Sequence, residues 1–383
     1  MKTVLQDLRP GRSVSLATYS EMAADPDPWD ALMANALTTH PHYSRHVMEA
    51  HRRAGLAAAD LTFIVVQGRL GLEALLPFAW KRDVSGLGTR IARPFLSPFI
   101  TQTSPLVADA PDLPDILDLL VKGLQSASKG RIWRWPLLPT ETKLGRGLLE
   151  AMDRAGWKRG IASRFERPIV ERRGSYAGFL DEHPHRSRMK DLSRRHRNLS
   201  KRGTLSHDIA TGGDRLNDAV AGFLRLEKAG WKGRAGTALA SRPQHEAFAR
   251  ALFTGADGPV RVRADSLLLD GRPLSISLAL VASGTATLLK TTFEENERSS
   301  APGLLLEARI IEALYGTGFA ERLDSATLAG SVLENLYPDR ETICEIVAAP
   351  SGAARMITVE QRIRLISMER RAMVRVKRAL GRR

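Results

Sequence analysis

The sequence predicts an α/β (α+β) fold of two tandem domains, each with a mixed, mainly antiparallel sheet flanked by helices. Both halves of the chain show the same order of predicted elements: a helix, antiparallel strands, a helix, a strand, a helix and a strand. Asp-Gly and Ser-Gly dipeptides between apolar runs favour hairpins. Amphipathic segments beside them favour helices that cover the sheets. The halves share no residue-level identity, so the repeat is one of architecture.

In the first half, residues 1–30 form a strand or loop leader, and residues 29–55 are a helical stretch that Pro41 interrupts. Residues 61–83 contain two strands around a tight Gln-Gly-Arg turn. Residues 90–108 are an extended segment, because their prolines exclude a helix. A helix at 113–130, a strand at 131–138, a helix at 142–157 and a strand at 161–171 complete this half.

The second half is organised around a predicted pair of hairpins at 260–294, which turn at Asp270–Gly271 and Ser283–Gly284. Two helices precede the hairpins, at 186–203 and 216–233. After the hairpins come a loop at 295–303, a helix at 304–318 and a strand at 319–326. An irregular segment at 331–339 and a last strand at 341–349 complete this half.

A boundary near Glu171–Gly174 divides the chain into predicted domains at 1–172 and 173–350, followed by a basic amphipathic helix at 351–383. Apolar residues of this last helix fall close to one face: Val359, Ile363, Ile366, Met373 and Leu380. That face can dock on the protein or lie on an anionic membrane surface. Both readings stay open.

Composition favours a folded protein of a reducing compartment. Hydrophobic residues make up 43% of the chain, so disorder is not expected. Cys344 is the single cysteine, which excludes an internal disulfide and fits the cytoplasm. The first residues contain no apolar signal region, and no apolar run reaches the ~20 residues of a membrane span. We therefore expect a cytoplasmic protein, with peripheral contact to the inner membrane face as an option.

The net charge of +15 is concentrated in two segments. Residues 186–202 contain eight Lys or Arg and one Asp, and residues 355–383 contain ten Lys or Arg and two Glu. Each segment could meet phosphate, RNA or lipid, or could be a solvated helical face. Residues 186–203 contain no aromatic side chain for base stacking, which disfavours single-stranded nucleic acid but leaves a backbone contact to tRNA open.

A candidate anion site lies where the last hairpin strand runs through a loop into a helix near Pro302–Gly303. Free amides and the dipole at a helix N-terminus favour a pyrophosphate, and Gly303 permits close approach. The alternative is an ordinary strand–helix turn.

The segment from about 176 to 347 resembles the CelD/BcsL (BioF2-like) acetyltransferases of cellulose biosynthesis. Five fragments carry the resemblance: "RSRMKDLSRRHRNLSKRG", "LEKAGWKGRAGTAL", "GRPLSISLAL", "LLKTTFEENERSSAPGLLL" and "LYPDRE". That family belongs to the GCN5-related superfamily and is close to the Fem-type transferases, which are tandem copies of the fold. The resemblance implies a catalytic domain at 173–350, a degenerate copy at 1–172, acetyl-CoA or another acyl-CoA as donor, and an amine or hydroxyl acceptor.

The loop departs from the superfamily's usual glycine-rich pattern, because Pro302 offers no N–H. We expect the donor amides to come from Ser300, Gly303, Leu304 and Leu305. The cofactor-binding residues that the resemblance implies are Thr292, Ser299, Ser300, Gly303, Leu304 and Leu305.

Three residues are predicted to be catalytic. Glu227 could deprotonate the acceptor, or it could be a solvated Glu paired with a lysine. Lys290 is a charge inside an apolar strand and needs a partner or a ligand. The resemblance gives Tyr337 the role of protonating the leaving thiolate. A backbone N–H near Lys290–Thr292 is predicted to stabilise the oxyanion.

The acceptor is predicted to be a small molecule or a glycan- or lipid-linked group. The predicted acceptor-side residues are Trp231, Lys232, Arg194, Arg195 and Asp324. Trp231 has a core position as its alternative. The irregular spacing of His183, His185 and His196 predicts no metal. Two other functions stay open: a Fem-like aminoacyl-tRNA-dependent peptidyltransferase, and a non-catalytic assembly protein at a membrane surface.

Overall fold

A computed structural model of the chain describes residues 4–6, 11–38, 40–58, 61–69, 71–255, 258–328, 330–350 and 357–379. The chain forms two compact units. Unit 1 comprises Met1–Thr38, Asp60–Phe165 and Thr342–Arg383, and unit 2 comprises Thr39–Ala59 and Glu166–Glu341. Each unit therefore contains segments from both halves of the sequence.

The strands of the described residues are β1 (Val4–Gln6), β2 (Ser13–Thr18), β3 (Thr62–Gly68), β4 (Gly71–Arg82), β5 (Arg90–Pro94), β6 (Leu106–Val107), β7 (Trp133–Pro139), β8 (Lys158–Glu171), β9 (Leu205–Ala210), β10 (Arg261–Leu269), β11 (Arg272–Ala282), β12 (Thr285–Phe293), β13 (Arg322–Asp324) and β14 (Asp339–Ala349).

The α-helices of the same residues are α1 (Tyr19–Ala23), α2 (Asp27–Ala34), α3 (Arg45–Arg53), α4 (Leu113–Ala127), α5 (Lys143–Arg154), α6 (Tyr176–Glu182), α7 (Arg186–Ser200), α8 (Gly213–Ala229), α9 (Trp231–Arg234), α10 (Pro243–Phe253), α11 (Pro302–Thr317) and α12 (Val359–Ala379). Short 3-10 helices lie at Val84–Gly86, Leu239–Ser241, Glu295–Ser300 and Val332–Asn335.

Unit 1 contains a sheet in the order β1-β2-β3-β4-β5-β7-β14. Its pairs are antiparallel except β5–β7, which is parallel across the α4 crossover. Helix α4 lies close to the sheet at Gly123, where an added Cβ would come within 2.4 Å of the Ile64 side chain. A larger residue at this position would push the helix away from the sheet.

Unit 2 contains a sheet in the order β8-β13-β12-β11-β10-β9. The predicted hairpin turns are confirmed between β10 and β11 and between β11 and β12. Their residues have φ values of 49° at Asp270, 77° at Gly271, 45° at Ser283 and 73° at Gly284. Consecutive positive φ angles are the geometry of two-residue hairpins. The predicted class, with mainly antiparallel sheets flanked by helices, is confirmed.

The apolar side chains of the basic helix α7 face the core of unit 2. Met189, Leu192 and Leu199 are buried there with Leu306 and Ile310 of α11. The charged residues cover the remaining sides of α7, so its amphipathic pattern has a packing role in this unit.

The sheet of unit 2 opens between β12 and β13. These strands pair in parallel only from Thr285 to Thr287, while β12 continues to Phe293. A β-bulge at Leu289 shifts the register with β11, because Lys290 faces Leu278 but Leu288 faces Ala279. The continuing part of β12 therefore forms one wall of a wedge.

The compact units differ from the contiguous ranges 1–172, 173–350 and 351–383. The chain leaves unit 1 within β8, after Phe165, and residues 39–59 belong to unit 2. Most of β14 belongs to unit 1, where it pairs with β7. The predicted C-terminal helix is described from Val359 to Ala379, and Leu380 lies outside the described residues. Among the described helices, none is long and apolar enough to cross a bilayer.

Candidate active site

A cleft of ≈ 690 Å³ occupies the wedge of unit 2. One wall is β12 from Leu288 to Thr291, together with Phe293. The start of α11 and the segments that follow β13 form the others, contributing Pro302–Leu304, Glu307, Ser325–Thr327 and Ser331–Leu333. A wedge beside a splayed strand gives a substrate access to backbone groups that pairing would otherwise occupy.

Helix α11 begins at Pro302, as the sequence predicts. Ala301 precedes it with a φ of 51°, in the left-handed region. The amides of Leu304 and Leu305 both donate to the Ala301 carbonyl, at 3.0 and 3.1 Å. Two of the four amides predicted to bind an anion are therefore already engaged. Gly303 lines the cleft, and its N–H makes no hydrogen bond to any described residue.

Gly303 is not required by the packing of unit 2. An added Cβ would lie 3.5 Å from the Phe293 ring and 4.0 Å from the Ser275 hydroxyl, which are ordinary contacts. Gly303 itself lines the cleft, so a larger residue at this position would alter the cleft wall at the helix start. Gly303 can therefore be substituted to test ligand approach without disturbing the core.

The basic helix α7 holds the loop before α11. Arg195 donates to the carbonyl of Ser299, and the guanidinium of Arg202 lies 2.6 Å from a carboxylate oxygen of Glu297. Arg195 and Arg194 also pair with Asp191, each at 2.7 Å. The two predicted acceptor-side arginines thus form contacts within the protein. Arg195 therefore helps to position the loop, whereas the ion pair of Arg194 stays within α7.

Arg298 is a cleft residue that the sequence reasoning missed. It belongs to the 3-10 helix before α11 and lines the cleft beside Ala301 and Pro302. Its side chain forms no ion pair within the part of the chain that the structure describes. Ser299 and Ser300, which were predicted to bind the cofactor, do not line the cleft. Arg298 is therefore a cation of the cleft lining that lies a few residues before the predicted phosphate position.

Glu307 is the acidic group at the base of the cleft. Its Oε2 accepts a 2.8 Å hydrogen bond from the Tyr337 hydroxyl, and its Oε1 accepts one of 2.9 Å from the Thr291 hydroxyl. Thr291 in turn lies 3.0 Å from the hydroxyl of Ser277. Burial raises the pKa of Glu307 to about 7, against the opposing effect of the bonds from Tyr337 and Thr291.

A carboxyl group with a pKa of about 7 exchanges its proton at neutral pH, which suits general acid–base catalysis. Tyr337 is fully buried behind Glu307, and burial raises the pKa of its hydroxyl well above the usual value. Tyr337 does not line the cleft. It contacts the site through Glu307, so the predicted direct transfer from Tyr337 to a thiolate has no contact to support it.

Sequence reasoning passed over Glu307 because α11 contains several charged residues. The available signal was its spacing, since Glu307 lies four residues before Ile311 and seven before Leu314 on the buried side of the helix. A carboxylate at such a position needs hydrogen-bond partners or a shifted pKa. Glu307 has both.

The predicted base Glu227 lies outside the cleft lining. Its side chain is only 2% exposed, so Glu227 is not the solvated residue of the alternative prediction. It does pair with a lysine, as that alternative expects. Its Oε1 accepts from Lys232 at 2.9 Å and its Oε2 from the Leu239 amide at 2.8 Å. These bonds fix the segment after α9, so the geometry supports a structural role for Glu227 and Lys232.

Two residues predicted to belong to the site, Lys290 and Trp231, do line the cleft. Burial lowers the pKa of the Lys290 ammonium, Lys232 lowers it further, and Glu227 opposes both. The indole of Trp231 is 54% exposed, so its alternative assignment to the core is wrong. The Trp231 amide donates to Glu295 at 2.6 Å, which places the ring at the cleft.

The remaining predicted residues support the cleft from behind. Asp324 is buried, lies 3.5 Å from Arg167 and accepts from the Ala326 amide at 2.7 Å. It therefore holds the segment that lines the cleft after β13. Thr292 and Leu305 are buried, and neither lines the cleft. Among the described residues, no group of three His, Cys, Asp or Glu is arranged to hold a metal.

Several solved structures have a similar fold, and three of them are compared with this chain. The C-terminal domain (DUF2156) of a putative lysylphosphatidylglycerol synthetase from Agrobacterium fabrum has a TM-score of 0.52 at 14% identity, over 86% of this chain and 92% of that one. FemX has a TM-score of 0.54 at 12% identity, over 85% and 95%. A protein of unknown function from Bacteroides thetaiotaomicron has 0.53 at 12%, over 87% and 99%.

These identities are low, so the similarities concern the fold alone. A search of curated proteins finds no match to the chain. The family comparison is more specific. Residues 186–327, which supply strand β12, the loop and helix α11 of the cleft, match the family model of an acetyltransferase (GNAT) domain.

Proposed function

We propose that unit 2 is an acyl-CoA-dependent acyltransferase that acylates an amine or hydroxyl, with Glu307 as its general base. The observation that carries this proposal is a buried carboxyl with a pKa of about 7 in the cleft of the matched domain. The cleft also has a helix start with Gly303 and Arg298 for phosphate.

In the proposed reaction, the acceptor nitrogen or oxygen attacks the thioester carbonyl while Glu307 takes its proton. The new C–N or C–O bond forms, the C–S bond breaks, and the thiolate receives the proton back from Glu307. Backbone N–H groups of β12 beyond Thr287 would stabilise the oxyanion, because pairing with β13 ends there. Holding donor and acceptor together supplies much of the rate.

The finer assignments also belong to this proposal. Membership of the CelD/BcsL (BioF2-like) type, and with it a role in polysaccharide or envelope biosynthesis in the cytoplasm, is supported by the five resembling fragments. The exposed indole of Trp231 at the cleft suits an acceptor with a flat or apolar face, such as a sugar ring or lipid-linked group.

Thermal unfolding with acetyl-CoA and longer acyl-CoAs tests the donor. A ligand at about 100 times its Kd adds about 2.7 kcal/mol to the free energy of unfolding. Stabilisation by acyl-CoA, lost in an Arg298→Glu variant, supports the proposal. No stabilisation by any acyl-CoA would favour the non-catalytic alternative.

The aminoacyl-tRNA-dependent alternative is favoured by exposed Lys190 and Arg197 on α7 and by the similarity of the fold to FemX. It predicts tRNA binding with a steep dependence on salt, because phosphate contacts release counterions. Retention of tRNA in a gel-shift series, together with no response to acyl-CoA, would replace our proposal with this one.

A further inference from the structure

Helix α12 has a docked first half. Val359 and Ile366 are buried in a cluster of unit 1 with Ile91, Ile132 and Val347. At Gly160 of β8, an added Cβ would come within 2.7 Å of the Ile363 side chain, so helix and strand lie close together. This half belongs to the core of unit 1.

The second half of α12 exposes apolar side chains. Met368, Met373, Val374 and Val376 are between 49% and 56% exposed. They are four of the nine large apolar side chains found exposed in the described residues, and they fall within nine consecutive positions. A local concentration of this kind marks an interaction surface more often than a solvated one.

Basic residues lie on the side of the helix opposite the docked Val359 and Ile366. Two of the exposed apolar side chains, Met368 and Val374, lie within one turn of these basic residues. Arg364, Arg371 and Arg375 follow one another at spacings of seven and four residues, which places them in one stripe along the helix. All three are exposed, and none forms an ion pair with a described residue. The acidic residue of this half, Glu369, lies 3.4 Å from Arg134 in unit 1, so its charge is used within the protein.

We propose that residues 364–376 of α12 form a docking surface for an anionic lipid bilayer. Met368 and Val374, which lie beside the stripe, would enter the interface while the arginines contact lipid phosphates. An anionic bilayer presents an apolar interior and negatively charged headgroups at one surface. These match the exposed apolar side chains and the arginines of α12. A second copy of the chain docked through the same face would place its own arginine stripe against this one, and the like charges would repel.

Sedimentation of the full-length protein with vesicles tests the surface. The vesicles contain phosphatidylcholine alone or phosphatidylcholine with phosphatidylglycerol. Wild type should partition to the anionic vesicles, and added salt should weaken the binding. The double variant Arg371→Glu, Arg375→Glu should lose about tenfold or more in partitioning, at roughly 1 kcal/mol for each basic residue near the surface.

Two further variants define the result. Met368→Ser with Val374→Ser should also weaken partitioning, because both side chains are solvent-exposed beside the arginine stripe and their loss leaves the docked residues intact. Lys190→Glu with Arg197→Glu makes the same charge change on exposed positions of α7 and should leave partitioning unchanged. Circular-dichroism melting confirms that all variants fold.

Three outcomes would overturn the proposal. Wild type that does not sediment with anionic vesicles removes the lipid surface. An equal loss in the α7 control reduces the effect to net charge. Dimers in sedimentation equilibrium that dissociate in the Met368→Ser, Val374→Ser variant, with no vesicle binding by wild type, assign the face to a second copy. These readouts do not depend on acyl transfer, so the proposed function stands or falls separately.

Discussion

Burial of the Glu307 carboxyl determines the acid–base chemistry of the cleft. Water would hold its pKa near the ordinary value, whereas the interior of unit 2 favours the neutral form. The hydroxyls of Tyr337 and Thr291 stabilise the ionised form and keep the pKa at about 7. The same carboxyl can therefore accept and return a proton within one turnover at neutral pH.

Replacing Glu307 by Gln should remove the base and leave donor binding intact. The wild-type kcat/KM should rise with pH through a midpoint of about 7, because only the ionised carboxylate accepts a proton. Glu307→Gln should lower kcat/KM by about 10² to 10⁴ and flatten this profile. Release of CoA thiol with a model amine or hydroxyl acceptor measures the rate, and calorimetry measures acyl-CoA affinity.

Glu227→Gln is the matched comparison, because Glu227 is the base that the sequence predicts. Its carboxylate accepts two hydrogen bonds outside the cleft, so we expect a stability change with the midpoint of the profile unmoved. If the rise near neutral pH disappears in Glu227→Gln and persists in Glu307→Gln, the roles are the reverse of those proposed here.

Tyr337→Phe should move the activity profile to higher pH. The Tyr337 hydroxyl donates to Glu307 and lowers its pKa, so its removal raises the pKa of Glu307 further above the ordinary value. The pH dependence of kcat/KM measures the shift. Tyr315→Phe serves as the control, since Tyr315 packs against the same apolar cluster. A midpoint that does not differ between the two variants would show that the hydroxyl does not tune Glu307.

At the scale of elements, the junction between β12 and α11 organises the site. The loop is held from outside by Arg195 of α7 and by Arg202, which follows that helix, and Ala301 has a left-handed backbone before Pro302 starts α11. These contacts with the loop explain part of the high positive charge of the basic helix. Its buried stripe packs against the core, and its arginines hold the loop that borders the cleft.

Gly303→Val tests whether that junction receives the donor's phosphates. Gly303 lines the cleft, and an added Cβ there would make only ordinary contacts with the Phe293 ring, so we expect the larger residue to lower acyl-CoA affinity by about tenfold or more with the fold retained. Gly316→Val is the matched control on the same helix, where an added Cβ meets open space. Calorimetric Kd values for both variants decide the question, and equal affinities would exclude this helix start from the donor site.

Local patterns were sufficient to predict the hairpins and the start of α11. Asp-Gly and Ser-Gly turns and a Pro at the first helical position are determined by nearby residues. The cleft itself depends on contacts between distant segments. The bulge at Leu289 and the short pairing of β12 with β13 decide which residues face the wedge. That is why Glu307 was missed and Glu227 preferred.

At the scale of the whole chain, the two units repeat one succession of elements. In unit 1, strands β3, β4 and β5 are followed by α4 and by the parallel partner β7. In unit 2, strands β10, β11 and β12 are followed by α11 and by the parallel partner β13. The repeated order that the sequence predicts is therefore present as architecture.

Each half of the sequence also contributes part of its last strand to the other unit. The end of β8 pairs with β13 in unit 2, and β14 pairs with β7 in unit 1. The pairing partner of a strand is a long-range property that composition does not reveal. The contiguous ranges predicted from the sequence could not contain this exchange, because they were placed by the local change near Glu171–Gly174.

The free energy of unfolding should depend on pH because the Glu307 carboxyl is buried. In the folded protein the pKa of Glu307 is about 7, against an ordinary value of 4.5. Between these values the folded state binds more protons than the unfolded state, so the free energy of unfolding falls as pH rises from 4.5 towards 7 and is level above it. At 1.36 kcal/mol per pKa unit, the Glu307 contribution amounts to about 3 kcal/mol.

Urea unfolding of wild type and Glu307→Gln over this pH range isolates that contribution from other titrating groups. The difference in unfolding free energy, wild type minus variant, should decline with rising pH by an amount on the order of 3 kcal/mol. The decline should end near pH 7, where the activity profile has its midpoint. A difference that is independent of pH would mean that Glu307 is ionised throughout, and the general base of the cleft would have to be sought elsewhere.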